Sequence, residues 1–170
     1  MSPVKKSPRA PVSALARGAQ LAARREHTRA ELARKLRRKG HAPEEIGGAL
    51  ETLGKKKFID DNRAARALID ERIRAGRGPK KIQVDLQKRG IPPATARALL
   101  AELDPPDQER ARAAELAQKM LARPGAHPQK VAGFLARRGF TAGAVASALA
   151  GCVWAEGAEA DDGTECDDDE

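Results

Sequence analysis

One motif occurs three times in the 170-residue chain, and that repetition constrains the fold more than any other feature. The segments TRAELARKLRRKGHAPEEIGGAL (28–50), GPKKIQVDLQKRGIPPATARALL (78–100) and HPQKVAGFLARRGFTAGAVASAL (127–149) align without a gap, 50 and then 49 residues apart. Each copy places an aliphatic residue eight positions before a glycine (Leu32, Ile82, Val131) and a leucine four before it (Leu36, Leu86, Leu135). Two bases immediately precede that glycine, and a leucine follows ten residues later (Leu50, Leu100, Leu149). Aliphatic residues at i and i+4 share one face of a helix.

The pattern predicts helix, glycine stop, helix. Gly40, Gly90 and Gly139 stand where a left-handed C-terminal cap belongs. Pro43, Pro92 and Pro93 suit the first turn of the helix that follows. That helix shows the i, i+3, i+4, i+7 stripe in each copy: Ile46, Ala49, Leu50, Leu53; then Ala96, Leu99, Leu100, Leu103; then Val145, Ala148, Leu149, Cys152. A further helix precedes each copy, over Ala14 to Arg25, Asn62 to Arg74 (capped by Asp60 or Asp61) and Gln108 to Leu121, the last after the breaker Asp104-Pro105-Pro106. The expected fold is all-α, an elongated array of three tandem three-helix repeats over 13–59, 60–104 and 105–154. Residues 1–12 and 155–170 fall outside the repeats and are expected to be disordered. Aromatics are confined to Phe58, Phe134, Phe140 and Trp154, so the core must be built from Leu, Ile, Val and Ala, a mixture that suits close-packed helices.

No catalytic constellation is present. His27, His41 and His127 are far apart and in no metal-ligand spacing, so neither metal nor cofactor is expected. Gly48 and Gly54-Lys55 fail as a phosphate loop, because the spacing is wrong and Lys56 stands where Ser or Thr is needed. Glu44-Glu45 lies in a first helical turn, where acids favour the dipole. Cys152 falls on an apolar stripe and Cys166 lies among acids, which fits neither a disulfide framework nor a reactive thiol. No apolar run reaches the ~18 residues of a membrane span, and the basic N-terminus lacks an apolar signal core. A reducing cytoplasm and a binding role are the expectation.

Charge says what could be bound. Lys and Arg number 32 against 24 Asp and Glu, yet seven of those acids crowd residues 161–170. Setting the seven aside leaves 17 acids against 32 bases, a net of +15 over residues 1–160, which suits a polyanionic partner. The acidic segment is expected either to solubilise the chain or to lie over the basic body and compete with nucleic acid. Arg38, Lys88 and Arg137 lie about 200° around their helices from the aliphatic row and must face solvent. Lys81 and Lys130 fall beside Lys88 and Arg137, and Arg34 occupies the same face in the first copy. Lys39, Arg89 and Arg138 follow the row, while Arg24, Arg25, Arg72, Arg74, Arg77 and Lys80 cluster around the joints between helices. These residues are the candidate binding set. With so few aromatics, base stacking is nearly unavailable, and phosphate contact remains.

Certain residues resemble a known family. Arg25-Glu26-His27-Thr28 followed by Glu31-Leu32 looks like the signature that joins the first two helices of RecX proteins. Asp60-Asp61, Arg72, Gly76-Arg77-Gly78, Ile82, Leu86 and Gly90-Ile91 resemble that family's second repeat, and Arg137-Arg138-Gly139-Phe140 its weaker third copy. The resemblance covers about residues 14–150. Two departures are visible: Ala64 and Ala65 stand where the family shows an aromatic and then Ala, leaving a packing gap to be filled, and the acidic tail lies outside the family pattern. The resemblance implies a bacterial regulator that binds RecA filaments on DNA and restrains the recombinase; a monomer that meets single- or double-stranded DNA through phosphate contacts is the further expectation. Charge alone leaves open a general nucleic-acid-binding protein, or an adaptor that grips an unrelated acidic protein.

Overall fold

A computed structural model describes residues 12–150. Among them are nine helices and no strand: α1 (Ala14–Ala22), α2 (Arg29–Arg38), α3 (Pro43–Lys55), α4 (Asp61–Arg74), α5 (Pro79–Lys88), α6 (Pro93–Leu103), α7 (Pro106–Leu121), α8 (Pro128–Arg138) and α9 (Ala142–Ala148). The expected tails at 1–12 and 155–170 lie almost wholly outside the described residues, as does Cys152.

Local chemistry sets the boundaries. Five helices begin on proline, whose missing N–H is one of the donors a first turn cannot use. Side chains cap the other four: Ser13 accepts from the Ala16 amide at 3.2 Å, Thr28 from Glu31 at 3.1 Å, Asp60 from Asn62 and Arg63 at 2.8 and 3.1 Å, and Thr141 from Ala144 at 3.3 Å. The three motif glycines take φ of +85°, +88° and +90°, the left-handed stop that their position predicts. Three starts or stops differ from expectation, the slightest at α4, which begins at Asp61 rather than Asn62 with Asp60 as its cap. α1 ends at Ala22 rather than Arg25, because the chain must turn to bring Thr28 to the cap of α2. α7 begins at Pro106 rather than Gln108, since proline is well placed as the first helical residue.

The helices pack as three bundles, α1–α3, α4–α6 and α7–α9, each around its own apolar cluster. Leu32, Ile82 and Val131, and likewise Leu36, Leu86 and Leu135, are buried at equivalent places. The stripe of the third helix is buried in the first two bundles save for the partly covered Leu50 and Leu103; in the third, Ala144 and Leu149 are buried while Val145 and Ala148 are only partly so. Ala64 and Ala65 are both buried, so these small residues stand inside the packing.

The joints between bundles repeat one geometry. The C-terminal end of each middle helix sits on the N-terminal end of the middle helix before it. At the first joint the Thr28 hydroxyl donates to the Arg89 carbonyl, and Gly90 lies against Ala30. At the second, the Gly78 amide donates to the Arg138 carbonyl at 2.9 Å and the Lys80 amide to the Gly139 carbonyl at 3.0 Å. Flanking pairs reinforce both: Arg63 to Glu26 at 2.6 Å and the Arg29 amide to Asp61 at 2.7 Å at the first, the Arg138 guanidinium to the Ala75 carbonyl at 2.8 Å at the second. Gly40, the corresponding end in the first bundle, has nothing packed on it among the described residues.

Candidate nucleic-acid interface

Residues 25–31 show how the loop before α2 becomes a rigid platform. His27 is 2% exposed and Thr28 is buried, although both lie in a loop. Buried beneath them, Glu31 pairs with Arg25, lies 3.3 Å from His27 Nδ1 and 3.7 Å from Lys35 Nζ. Glu26 and Thr28 reach across to the second bundle. The Arg-Glu-His-Thr motif is therefore a joint, each of its side chains holding either α2 or the neighbouring bundle.

Burial disfavours the His27 imidazolium and puts its pKa below the ordinary 6.5; the Glu31 carboxylate opposes this only in part, with Arg25 and Lys35 adding repulsion. Burial pushes Glu31 the other way, but its contacts with Arg25 and His27 outweigh it, and its pKa lies below the ordinary 4.5. Both groups bind protons less readily folded than unfolded. Their stabilisation is complete above those ordinary values and is lost as pH falls, first below 6.5 through His27 and then below 4.5 through Glu31. Replacing His27 with Gln is expected to flatten the decline of the thermal midpoint just below pH 6.5. A variant whose midpoint keeps the wild-type pH profile there would contradict this assignment.

The candidate cations divide into two groups. Arg24, Arg34, Arg38, Lys39, Lys80, Lys81, Lys88, Lys130 and Arg137 are exposed, and none of their side chains has a hydrogen-bond or ion-pair partner among the described residues. The motif row Arg38, Lys88 and Arg137 belongs wholly to this group. Arg74 is exposed as well, donating only to the Asp70 carbonyl at 3.2 Å. Arg77 and Arg89 are half-buried, and their carbonyls accept from Arg112 and Thr28. The others are engaged in the fold: Arg25 with Glu31, Arg72 with Asp85 at 2.8 Å and Glu71 at 3.3 Å, and Arg138 with the Ala75 carbonyl while its guanidinium lies 4.9 Å from the centre of the Phe134 ring.

A basic cavity of about 520 Å³ lies between α1 and the C-terminal half of α2. Arg17, Arg24, Lys35, Arg38 and Lys39 line it, with Gln20 and Leu21. A second opening of about 470 Å³, formed by Arg34, Arg37, Arg38, Lys35 and Glu31, adjoins it and shares two residues with it. Charge counting along the motif finds Arg24, Arg38 and Lys39 but misses Arg17 and Lys35. Their signal is in the spacing: 17, 20, 21, 24 on one segment and 35, 38, 39 on the next are both i, i+3, i+4 rows, which two packed helices can turn toward each other. Among the described residues no cluster of ligating side chains could hold a metal, and no helix is long and apolar enough to cross a membrane.

Known proteins are similar to this chain in sequence and in fold. Residues 14–53 match the family profile described as RecX, first three-helix domain, and residues 60–100 the one described as RecX, second three-helix domain. The regulatory protein RecX of Halorhodospira halophila is 36% identical over 133 residues, covering 77% of this chain and 83% of its own. That of Thermobifida fusca is 36% identical over 149 residues, covering 84% and 80%. The crystal structure of RecX from Lactobacillus salivarius superposes with a TM-score of 0.68 at 22% identity, over 80% of this chain and 94% of that one, a likeness of fold. A second crystal structure of a regulatory protein RecX gives 0.68 at 25% identity, over 77% and 68%. Two consecutive domain matches, relatives alike over most of their length and the same helical array together place the chain: it belongs to the RecX family of regulatory proteins.

Proposed function

We propose that this protein binds RecA–DNA filaments in the bacterial cytoplasm, as a monomer and without catalysis of its own, and restrains strand exchange and ATP hydrolysis in recombinational repair. The observation that carries the reading is the row Arg38, Lys88 and Arg137: equivalent positions in three successive bundles, all exposed and all without an acidic partner among the described residues. A charge that recurs once per bundle suits a partner that itself repeats, such as a protein filament wound on DNA. Arginine can grip both phosphates and carboxylates, so one row can serve nucleic acid and acidic protein groups. The family's regulatory role supplies the remaining support.

The test is RecA-mediated strand exchange and ATP hydrolysis at concentrations that saturate filaments. Wild type is expected to suppress both. The triple variant Arg38→Glu, Lys88→Glu, Arg137→Glu should keep its helical circular dichroism, because the positions are solvent-facing, and should suppress less. Its binding to duplex DNA should also depend less steeply on salt, by about one unit of log–log slope for each phosphate it no longer neutralises. Wild type that leaves both reactions untouched would remove RecA from the reading and leave a general nucleic-acid-binding protein, which the basic cavity supports independently. A triple variant that inhibits as well as wild type would show that the contact row lies elsewhere.

A further inference from the structure

We propose that the cavity between α1 and α2 is a phosphate-binding site that seats a backbone phosphate of a nucleic-acid strand, with Arg17 as its anchor. The inference rests on the nucleic-acid half of the function above and is independent of RecA.

Five cations converge on one opening of about 520 Å³. Arg17, Arg24, Arg38 and Lys39 have no side-chain hydrogen bond or ion pair among the described residues, and Arg17 Nε is buried without a partner. A buried donor on a permanent cation is costly to leave unmade, so the arrangement calls for an acceptor. Lys35 has a carboxylate 3.7 Å away, but that carboxylate, Glu31, is already shared with Arg25 and His27. Burial, with Arg25 and Arg38 close by, holds the Lys35 pKa below the ordinary lysine range despite Glu31.

Folding does not explain the cluster. The dipole of α2 welcomes Lys35 and Arg38 in its last turn. It gives no reason for Arg17, which sits in the first turns of α1, where the helix dipole repels a cation. Nor is α1 held by these side chains: its packing runs through Gly18, which lies against Leu53, Leu32 and Leu36. The cations stand off the apolar seam and face one another, an arrangement that a bound anion would stabilise.

The chemistry of the lining selects the anion. A tetrahedral phosphate offers enough acceptors to engage several guanidinium and ammonium groups at once, more than a carboxylate can. Among the described residues no aromatic ring lines the cavity, so a base finds nothing there to stack on and recognition falls to the backbone. The adjoining opening with Arg34 and Arg37 continues the basic surface past the first cavity, as consecutive phosphates of a strand require and a free phosphate does not.

The test uses the full chain without RecA, which separates it from the strand-exchange experiment. Binding of a labelled single-stranded oligonucleotide at low salt is measured by fluorescence anisotropy for wild type, Arg17→Gln and Arg123→Gln, the last an equal loss of charge at an exposed position in the third bundle. Arg17→Gln is expected to bind about tenfold more weakly than Arg123→Gln. Inorganic pyrophosphate, added to the same proteins in a thermal-shift assay, reports a free phosphate group in the cavity. Equal affinities for the two variants would overturn the strand site; if pyrophosphate then still raised the midpoint of wild type and not of Arg17→Gln, the cavity would be a site for free phosphates instead. Should Arg17→Gln fail to fold, Arg24→Gln, outside any helix, replaces it in both assays, with the same expected and overturning results.

Discussion

Arg112→Ala will destabilise the protein by roughly 3–5 kcal/mol, far more than any exposed arginine of the chain. Arg112 rises from α7 to the seam between the second and third bundles. It pairs with Asp104, whose side chain is 0% exposed, donates to the Arg77 carbonyl at 2.9 Å, and lies 5.5 Å from the centre of the Phe140 ring. One guanidinium thus engages a buried carboxylate, a main-chain carbonyl and a buried aromatic ring, drawn from both bundles. Removing it leaves Asp104 as a buried charge with no counter-ion, and that uncompensated charge rather than the missing attraction dominates the effect. Arg110→Ala is the control, because its partner Asp107 is exposed and such pairs contribute about 0–1 kcal/mol. Urea denaturation compares the two. Equal midpoints would mean that the Asp104 carboxylate does not depend on Arg112.

The second large effect is expected at Gly78. Its φ is −86°, which any residue can adopt, so the need for glycine here is purely one of space. A methyl group at this position would overlap the main chain of Gly139 and Phe140. Main chain cannot swing aside as a long side chain can, so Gly78→Ala must push the third bundle off the second. The amide-to-carbonyl bonds from Gly78 to Arg138 and from Lys80 to Gly139 go with it. The expected cost is roughly 3 kcal/mol, the upper end of what overpacking brings. Hydrogen exchange should speed up at the Gly78 and Lys80 amides more than within α2. Gly47→Ala gives the contrast: in the exposed middle of α3, with nothing within 4 Å, it should stabilise by about 0.5–1 kcal/mol. A Gly78→Ala protein as stable as wild type would show that the seam has room for a methyl group.

What the sequence reveals about this fold is what depends on near neighbours. Gly40, Gly90 and Gly139 mark helix ends because a left-handed stop is a property of the chain at one residue. The rows Leu32/Leu36 and Ile82/Leu86 mark buried faces because helical spacing does not depend on what lies opposite. Residues whose partners are distant escape such reading. Nothing near Arg112 in sequence says that it will meet Arg77 and Phe140, and nothing near Glu109 says that both oxygens will accept from Thr141, at 2.7 and 3.1 Å, to fix the start of α9. The candidate site divides in the same way. The row Arg38, Lys88, Arg137 is legible because it recurs with the motif. Arg17 belongs to a helix outside the aligned copies, and its neighbours in space, Lys35 and Arg38, are about twenty residues away. Arg72 and Arg138 look like free charge in the sequence, yet acids and carbonyls elsewhere in the chain engage them.

The seam between the second and third bundles also bears on how such a protein changes over evolutionary time. Its central bonds join amides to carbonyls, at Gly78, Lys80, Arg138 and Gly139, and a few side chains, Arg112 and Arg138 among them, reinforce that main-chain contact. Registration by main chain is indifferent to most side-chain substitutions, so many exposed residues of the third copy can be exchanged without disturbing these bonds. Mutational drift is then filtered chiefly by the glycines, the buried rows and the Arg112–Asp104 pair. A lineage built on such seams would retain its architecture at identities as low as 22%, the level at which the Lactobacillus salivarius protein still superposes on this one.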